Sequence, residues 1–82
     1  MRVNEARVVI FLNSTDKRFH YASEISSKLK IDYAYLLKTL KTMKGAGWVY
    51  PIKRERKIFY SLFNGEEHIV KDAIATLSKF NT

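Results

Sequence analysis

Cysteine and glutamine are missing from this sequence, and proline, tryptophan, glycine and histidine are scarce. Without cysteine there is neither a disulfide nor a thiolate metal site. A core of this size supplies only about 3–5 kcal/mol, so association with a second copy is the expected supplement. The two histidines, His20 and His68, have no partner at ligand or triad spacing. His68 beside Glu66 and Glu67 reads as the first-turn surface of a helix, not as a metal site. Asp16, Ser14 and His20 form no nucleophile arrangement, and Gly45-Ala46-Gly47 ends a helix instead of opening one after a strand. No catalytic residue, metal or cofactor is therefore expected, and the chain reads as a non-enzyme. The longest apolar run, Val8 to Leu12, is too short to span a bilayer. Two arginines precede it, but no small-residue cleavage site follows. The expectation is a cytoplasmic protein with no membrane partner. The lack of cysteine and glutamine also fits a thermophilic source.

What is abundant is positive charge, at a formal +7 over 82 residues. Its placement is uneven. Between Lys28 and Lys57 lie nine basic residues and two acids, Asp32 and Glu55, whereas the remainder is balanced at six of each. A solubility device would be spread evenly, so this localisation points to a polyanionic partner.

The length fits one domain, residues 1–82, with neither repeat nor linker. Asn4 is a candidate cap for a first helix ending near Leu12, with Val8, Phe11 and Leu12 on one face, although Val8-Val9-Ile10-Phe11 is equally strand-like. Asn13 to Asp16 is a turn cluster, and Phe19-His20-Tyr21 makes one brief strand. Ala22 to Leu29 forms a second helix, with Ala22, Ile25 and Leu29 inward and no good N-cap at Tyr21. Lys30-Ile31-Asp32 is a tight turn, and Asp32 caps a third helix from Tyr33 to about Ala46. There Leu36, Leu40 and Met43 fall within about 60° on the helical wheel. Ala34, Tyr35, Lys38, Lys41 and Thr42 take the opposite side.

Trp48–Ile52 and Ile58–Phe63 are aromatic and β-branched and flank the charged tip Lys53 to Lys57, which gives a β-hairpin. Pro51 lacks an amide donor and is expected at a sheet edge. Asn64 with Glu67 is a capping-box-like start to a final helix of about 65–80. Its positions Ile69, Val70, Ala73, Ile74, Leu77 and Phe80 span a stripe of about 140°, wider than one face against a core requires. The excess predicts a homodimer, with Phe11, Ile69, Ile74, Leu77 and Phe80 as interface candidates.

The resulting order is α1-β1-α2-α3-β2-wing-β3-α4, an α+β, mainly α, arrangement. Ser23-Glu24-Ile25 opening the second helix, the Ile31-Asp32-Tyr33 turn, inward Leu36, Leu40 and Met43, and Gly47-Trp48-Val49 entering the hairpin together resemble the winged helix-turn-helix superfamily. The stretch from about Phe19 to Leu62 is similar to small prokaryotic, especially archaeal, MarR-like transcriptional regulators, with the helix-turn-helix at about 22–46 and the wing at about 48–63. The resemblance implies binding of double-stranded DNA, with helix 33–44 laid in the major groove. It also implies dimerisation through the first and last helices.

The residue chemistry agrees with this. Lys38 and Lys41 suit phosphates, and Lys38 also suits guanine O6 and N7. Tyr33 and Tyr35 offer a hydroxyl and a ring, and Thr39 and Thr42 are short hydrogen-bonding groups. Tyr35 and Lys38 are the expected base contacts and Lys41 the phosphate contact, with Lys28 and Lys30 as further backbone candidates. Lys53, Arg54, Arg56 and Lys57 put four cations on a wing, a loop suited to the backbone or minor groove. The alternatives are a protein–protein interaction module, which would call for a less basic recognition face, and RNA binding. An RNA reader needs aromatic platforms, and Trp48, Tyr50, Phe59 and Tyr60 read instead as core and cross-strand packing.

Overall fold

The computed structural model describes residues 1–14, 19–63 and 67–80, the last of them through its backbone only. In chain order the elements are α1 (Val3–Ser14), β1 (His20–Tyr21), α2 (Ala22–Leu29), α3 (Tyr33–Gly45), β2 (Val49–Arg54), β3 (Lys57–Leu62) and α4 (Glu67–Phe80). The expected order and class are borne out. Thr15, Asp16, Asn64 and Glu66 lie outside the described residues, so the first turn cluster and the Asn64 capping box do too. No described helix is long and apolar enough to cross a membrane.

The strand-like run in α1 is helical because the helix is wrapped on more than one side. Ala6, Val8 and Val9 are completely buried and Leu12 nearly so. One flank packs on α4, and the other meets α2, α3 and β3. A helix covered this widely carries apolar residues around most of its circumference, which blurs the helical period. The helix also begins earlier than Asn4. The Ala6 amide already donates to the Arg2 carbonyl at 2.9 Å, and the Glu5 carboxylate accepts from the Arg2 amide at 2.7 Å. Glu5 thus performs the N-terminal capping expected of Asn4, whose own side chain accepts from Arg7.

The second helix, turn and third helix follow local signals. Tyr21 gives α2 no side-chain cap. Its Glu24 carboxylate, placed to reach back toward the start of the helix, instead meets Nδ1 of buried His20 at 3.0 Å. That partner corrects the expectation that His20 stands apart. Lys30 ends α2 in the left-handed conformation at φ 55°. Asp32 then caps α3 as expected, accepting from the Tyr35 amide at 3.1 Å. Ile25, Leu36, Leu40 and Met43 are fully buried where α2 and α3 cross. Each contributes about 1.5–3 kcal/mol by leaving water. Gly47, at φ 79°, turns the chain out of α3 into β2.

The three strands form an antiparallel sheet in the order β1-β3-β2. Pro51 therefore lies on an edge strand, where its missing donor costs no ladder bond. The hairpin is longer and its turn tighter than the tip 53–57 predicts. Lys53 pairs with Ile58 and Arg54 with Lys57, which leaves Glu55 and Arg56 as the turn. Three of the four wing cations thus stand on strands, not on a loop, because pairing continues to the end of the basic run.

Paired residues share a face and alternate along each strand. Val49, Leu62, Tyr60 and His20 face the helices and join the core or pack against it. Tyr21, Tyr50, Ile52 and Phe59 take the outer face, as the pairs Tyr21–Phe59 and Ile52–Phe59 require.

Candidate nucleic-acid interface

One face of α3 stays uncovered. Tyr33 is 49% exposed and Tyr35 47%, and Lys38, Lys41 and Thr42 are exposed with them. Thr39 lies at the buried margin of this face, where it lines a cleft with Tyr35, Lys38 and Thr42. It is 8% exposed, and its hydroxyl donates to the Tyr35 carbonyl at 3.1 Å. The helical wheel explains this correction, because Thr39 sits beside Met43 at the margin of the apolar stripe. The Thr42 hydroxyl makes the same backbone bond, to Lys38 at 3.2 Å, but remains open to solvent.

Two clefts flank this face. The first, of about 130 Å³, lies between α3 and the start of α1, and Arg2, Asn4, Glu5, Tyr35, Lys38, Thr39 and Thr42 line it. Arg2 is thereby brought beside Lys38, a juxtaposition that nothing in the local sequence signals. The second, of about 270 Å³, lies between α3, the start of α2 and the hairpin. Its walls include Ser23, Tyr33, Leu37, Arg56, Lys57 and Tyr60. Burial raises the Tyr60 phenol above its ordinary pKa, with a smaller contribution from Tyr33.

Lys28, Lys30, Lys53 and Arg54 line neither cleft. Lys28 and Lys30 are exposed at the end of α2 and in the turn. Lys53 shares the inner side of the hairpin with Ile58, while Arg54 and Lys57 oppose each other on the outer side. Lys57 also places its Nζ 4.5 Å from the centroid of the Tyr21 ring, a cation–π contact that fixes the wing against the start of α2. Arg2 with Lys38 on one flank, beside Glu5, and Arg56 with Lys57 on the other therefore set an excess of positive charge on both sides of the exposed α3 face. Such an arrangement attracts a polyanion. Among the described residues, no group of three histidine, aspartate or glutamate side chains could hold a metal ion.

The helix surface predicted for dimerisation is partly spent inside this chain. Ile69 is 2% exposed and belongs to the core, so it offers no surface to a second copy. The Phe11 ring lies 5.0 Å from that of His20, and Leu77 packs against the core. Ile74 is 53% exposed. The Phe80 side chain lies outside the described residues.

No family model and no curated protein sequence matches the chain. Solved structures do resemble it. A cysteine-to-serine mutant of MarR from E. coli, complexed with operator DNA, superimposes with a TM-score of 0.75 at 17% identity, over 90% of this chain and 54% of that one. A mutant of Lactococcus lactis ZitR gives 0.72 at 21% identity, over 94% and 56%. The adhesin competence repressor AdcR from Streptococcus pyogenes gives 0.71 at 15%, over 94% and 60%. The first of these carries bound operator DNA, and the third is named a repressor. The chain spans little more than half the length of each. Four helices, a three-stranded antiparallel sheet and these superpositions establish the fold as a MarR-like winged helix.

Proposed function

We propose that the protein is a double-stranded DNA-binding transcriptional regulator, with α3 as its recognition helix. The observation that carries this reading is the exposed Tyr35–Lys38–Thr42 face, flanked by Arg2 on one side and by Arg56 and Lys57 on the other. An α-helix fits the major groove, and its N-terminal half meets the base edges. Tyr35 and Lys38 contact bases. Lys41, Lys28 and Lys30 hold phosphates, and Tyr33 serves either role. Lys53, Arg54, Arg56 and Lys57 engage the backbone or the minor groove from the wing. A neighbour of the same fold in complex with operator DNA supports this assignment.

The working unit is a homodimer formed through α1 and α4, with the exposed Ile74 at its centre. Selection of bound sites from random duplexes tests both parts of the reading. The expected product is a palindrome whose half-sites lie about 10 bp apart, or a multiple of that. Recovery of unrelated sequences with no shared motif would remove sequence reading from the proposal.

A further inference from the structure

The outer face of the sheet carries an aromatic surface that the duplex reading does not use. Its rings form two groups. Tyr50 meets Phe19 at 6.1 Å and Phe63 at 5.8 Å, both nearly edge-to-face. Tyr21 meets Phe59 at 5.8 Å in the same geometry. Ile52 lies beside Phe59, and the one small residue of the row, Ser61, is 4% exposed. Among the described residues, no helix covers this face, because the inner face takes α1, α2 and α3, and α4 packs on α1. Phe63 is 51% exposed, and the other rings keep part of their surface in water. A sheet face that only met solvent would alternate to polar residues here.

We propose that this face binds single-stranded nucleic acid, stacking unpaired bases on its rings. Two observations select that partner over a second copy of the chain. The apolar part of the face is five rings and one aliphatic residue, set around Ser61, and rings accept any base through its π-face. The same face also carries Arg54 and Lys57 directly opposite each other at the hairpin end. Self-association through this face would gather further like charge around that pair, whereas a phosphate chain neutralises it. The rings stand apart from the recognition helix, because Tyr50 and Phe63 lie on the opposite side of the sheet from the helices, whereas Arg54 and Lys57 are shared with the wing contact proposed above. A protein using both faces would hold duplex on α3 and an adjoining unpaired strand on the sheet.

The test is fluorescence anisotropy of the intact chain with labelled oligothymidylate, oligouridylate and a duplex. The wild type binds one or both single strands, and the two single-stranded arms report which sugar is preferred. Tyr50→Leu combined with Phe63→Leu keeps apolar volume and removes two rings, so single-strand affinity falls by about tenfold or more. Duplex affinity stays within about twofold, since neither ring lies on the α3 face. Lys38→Ala gives the opposite pattern. Circular dichroism and a melting curve verify the fold, and Phe63→Leu alone, at an exposed position, serves if the double variant melts early. The proposal is overturned by absent single-strand binding, by equal losses on both ligands, or by a change in oligomeric state with single-strand affinity intact.

Discussion

Ser26 and Ile31 bond to each other from both ends of the turn that joins α2 to α3. The Ile31 amide donates to the Ser26 carbonyl at 3.1 Å, and the Ser26 hydroxyl donates to the Ile31 carbonyl at 2.6 Å. The Ile31 side chain is meanwhile 7% exposed in the core. Ser26→Ala removes the donor and leaves that carbonyl under-satisfied, at a cost of about 1–2 kcal/mol. Urea denaturation measures this directly. A change within error would mean that water replaces the hydroxyl without loss.

The α3 face separates charge effects from base reading. Lys41→Ala is expected to weaken binding to all duplexes alike and to reduce the slope of log K against log salt by about one. Lys38→Ala changes the preferred sequence as well. Thr39→Val leaves both properties alone, because the Thr39 hydroxyl already serves the Tyr35 carbonyl. Loss of duplex affinity in the Thr39 variant would restore Thr39 to the contact surface.

Removing the two wing arginines together, Arg54→Ala with Arg56→Ala, lowers affinity across sequences and flattens the salt slope by about two. An unchanged slope would leave the wing without a phosphate contact and assign its charge to protection of the sheet edge.

Glu55 occupies the first turn position of the hairpin at φ 57°, a region that glycine enters without penalty. Glu55→Gly is expected to stabilise the fold by about 1 kcal/mol. It also removes the acid among the wing cations, so binding tightens at low salt. A lower melting temperature would show that the glutamate side chain holds the turn by contacts of its own.

Ile74→Lys tests the dimer. Sedimentation velocity is expected to show the wild type as a dimer and the variant as a 9.6 kDa chain. Equal masses for the two proteins would move the interface off α4.

The helix-turn-helix and the hairpin were legible in the sequence because their signals are local. Asp32 announces the start of α3, Gly47 its exit, and the alternation from Val49 to Leu62 the two strands. Residue chemistry alone puts Thr39 on the recognition face, whereas its wheel position beside Met43 argues for burial. The outer sheet face was hidden for a different reason. Local sequence presents Tyr50 and Phe59 as packing residues, and only the pairing of β1 with β3 sets Phe19 and Tyr21 beside them. Arg2 reached the recognition face by the same kind of long-range closure, since α1 runs past α3. Non-local contacts of this sort leave no period in a sequence.

A guanidinium on α1 adds one more such closure. Arg7 donates to the Leu29 carbonyl at the end of α2, next to the left-handed Lys30 and the Ser26–Ile31 lock. The helix that packs on α4 is thereby pinned to the joint that sets the angle of α3. In an α1/α4 dimer, the distance between the two recognition helices would then be a mechanical property of this strut, decided far from any surface that touches DNA.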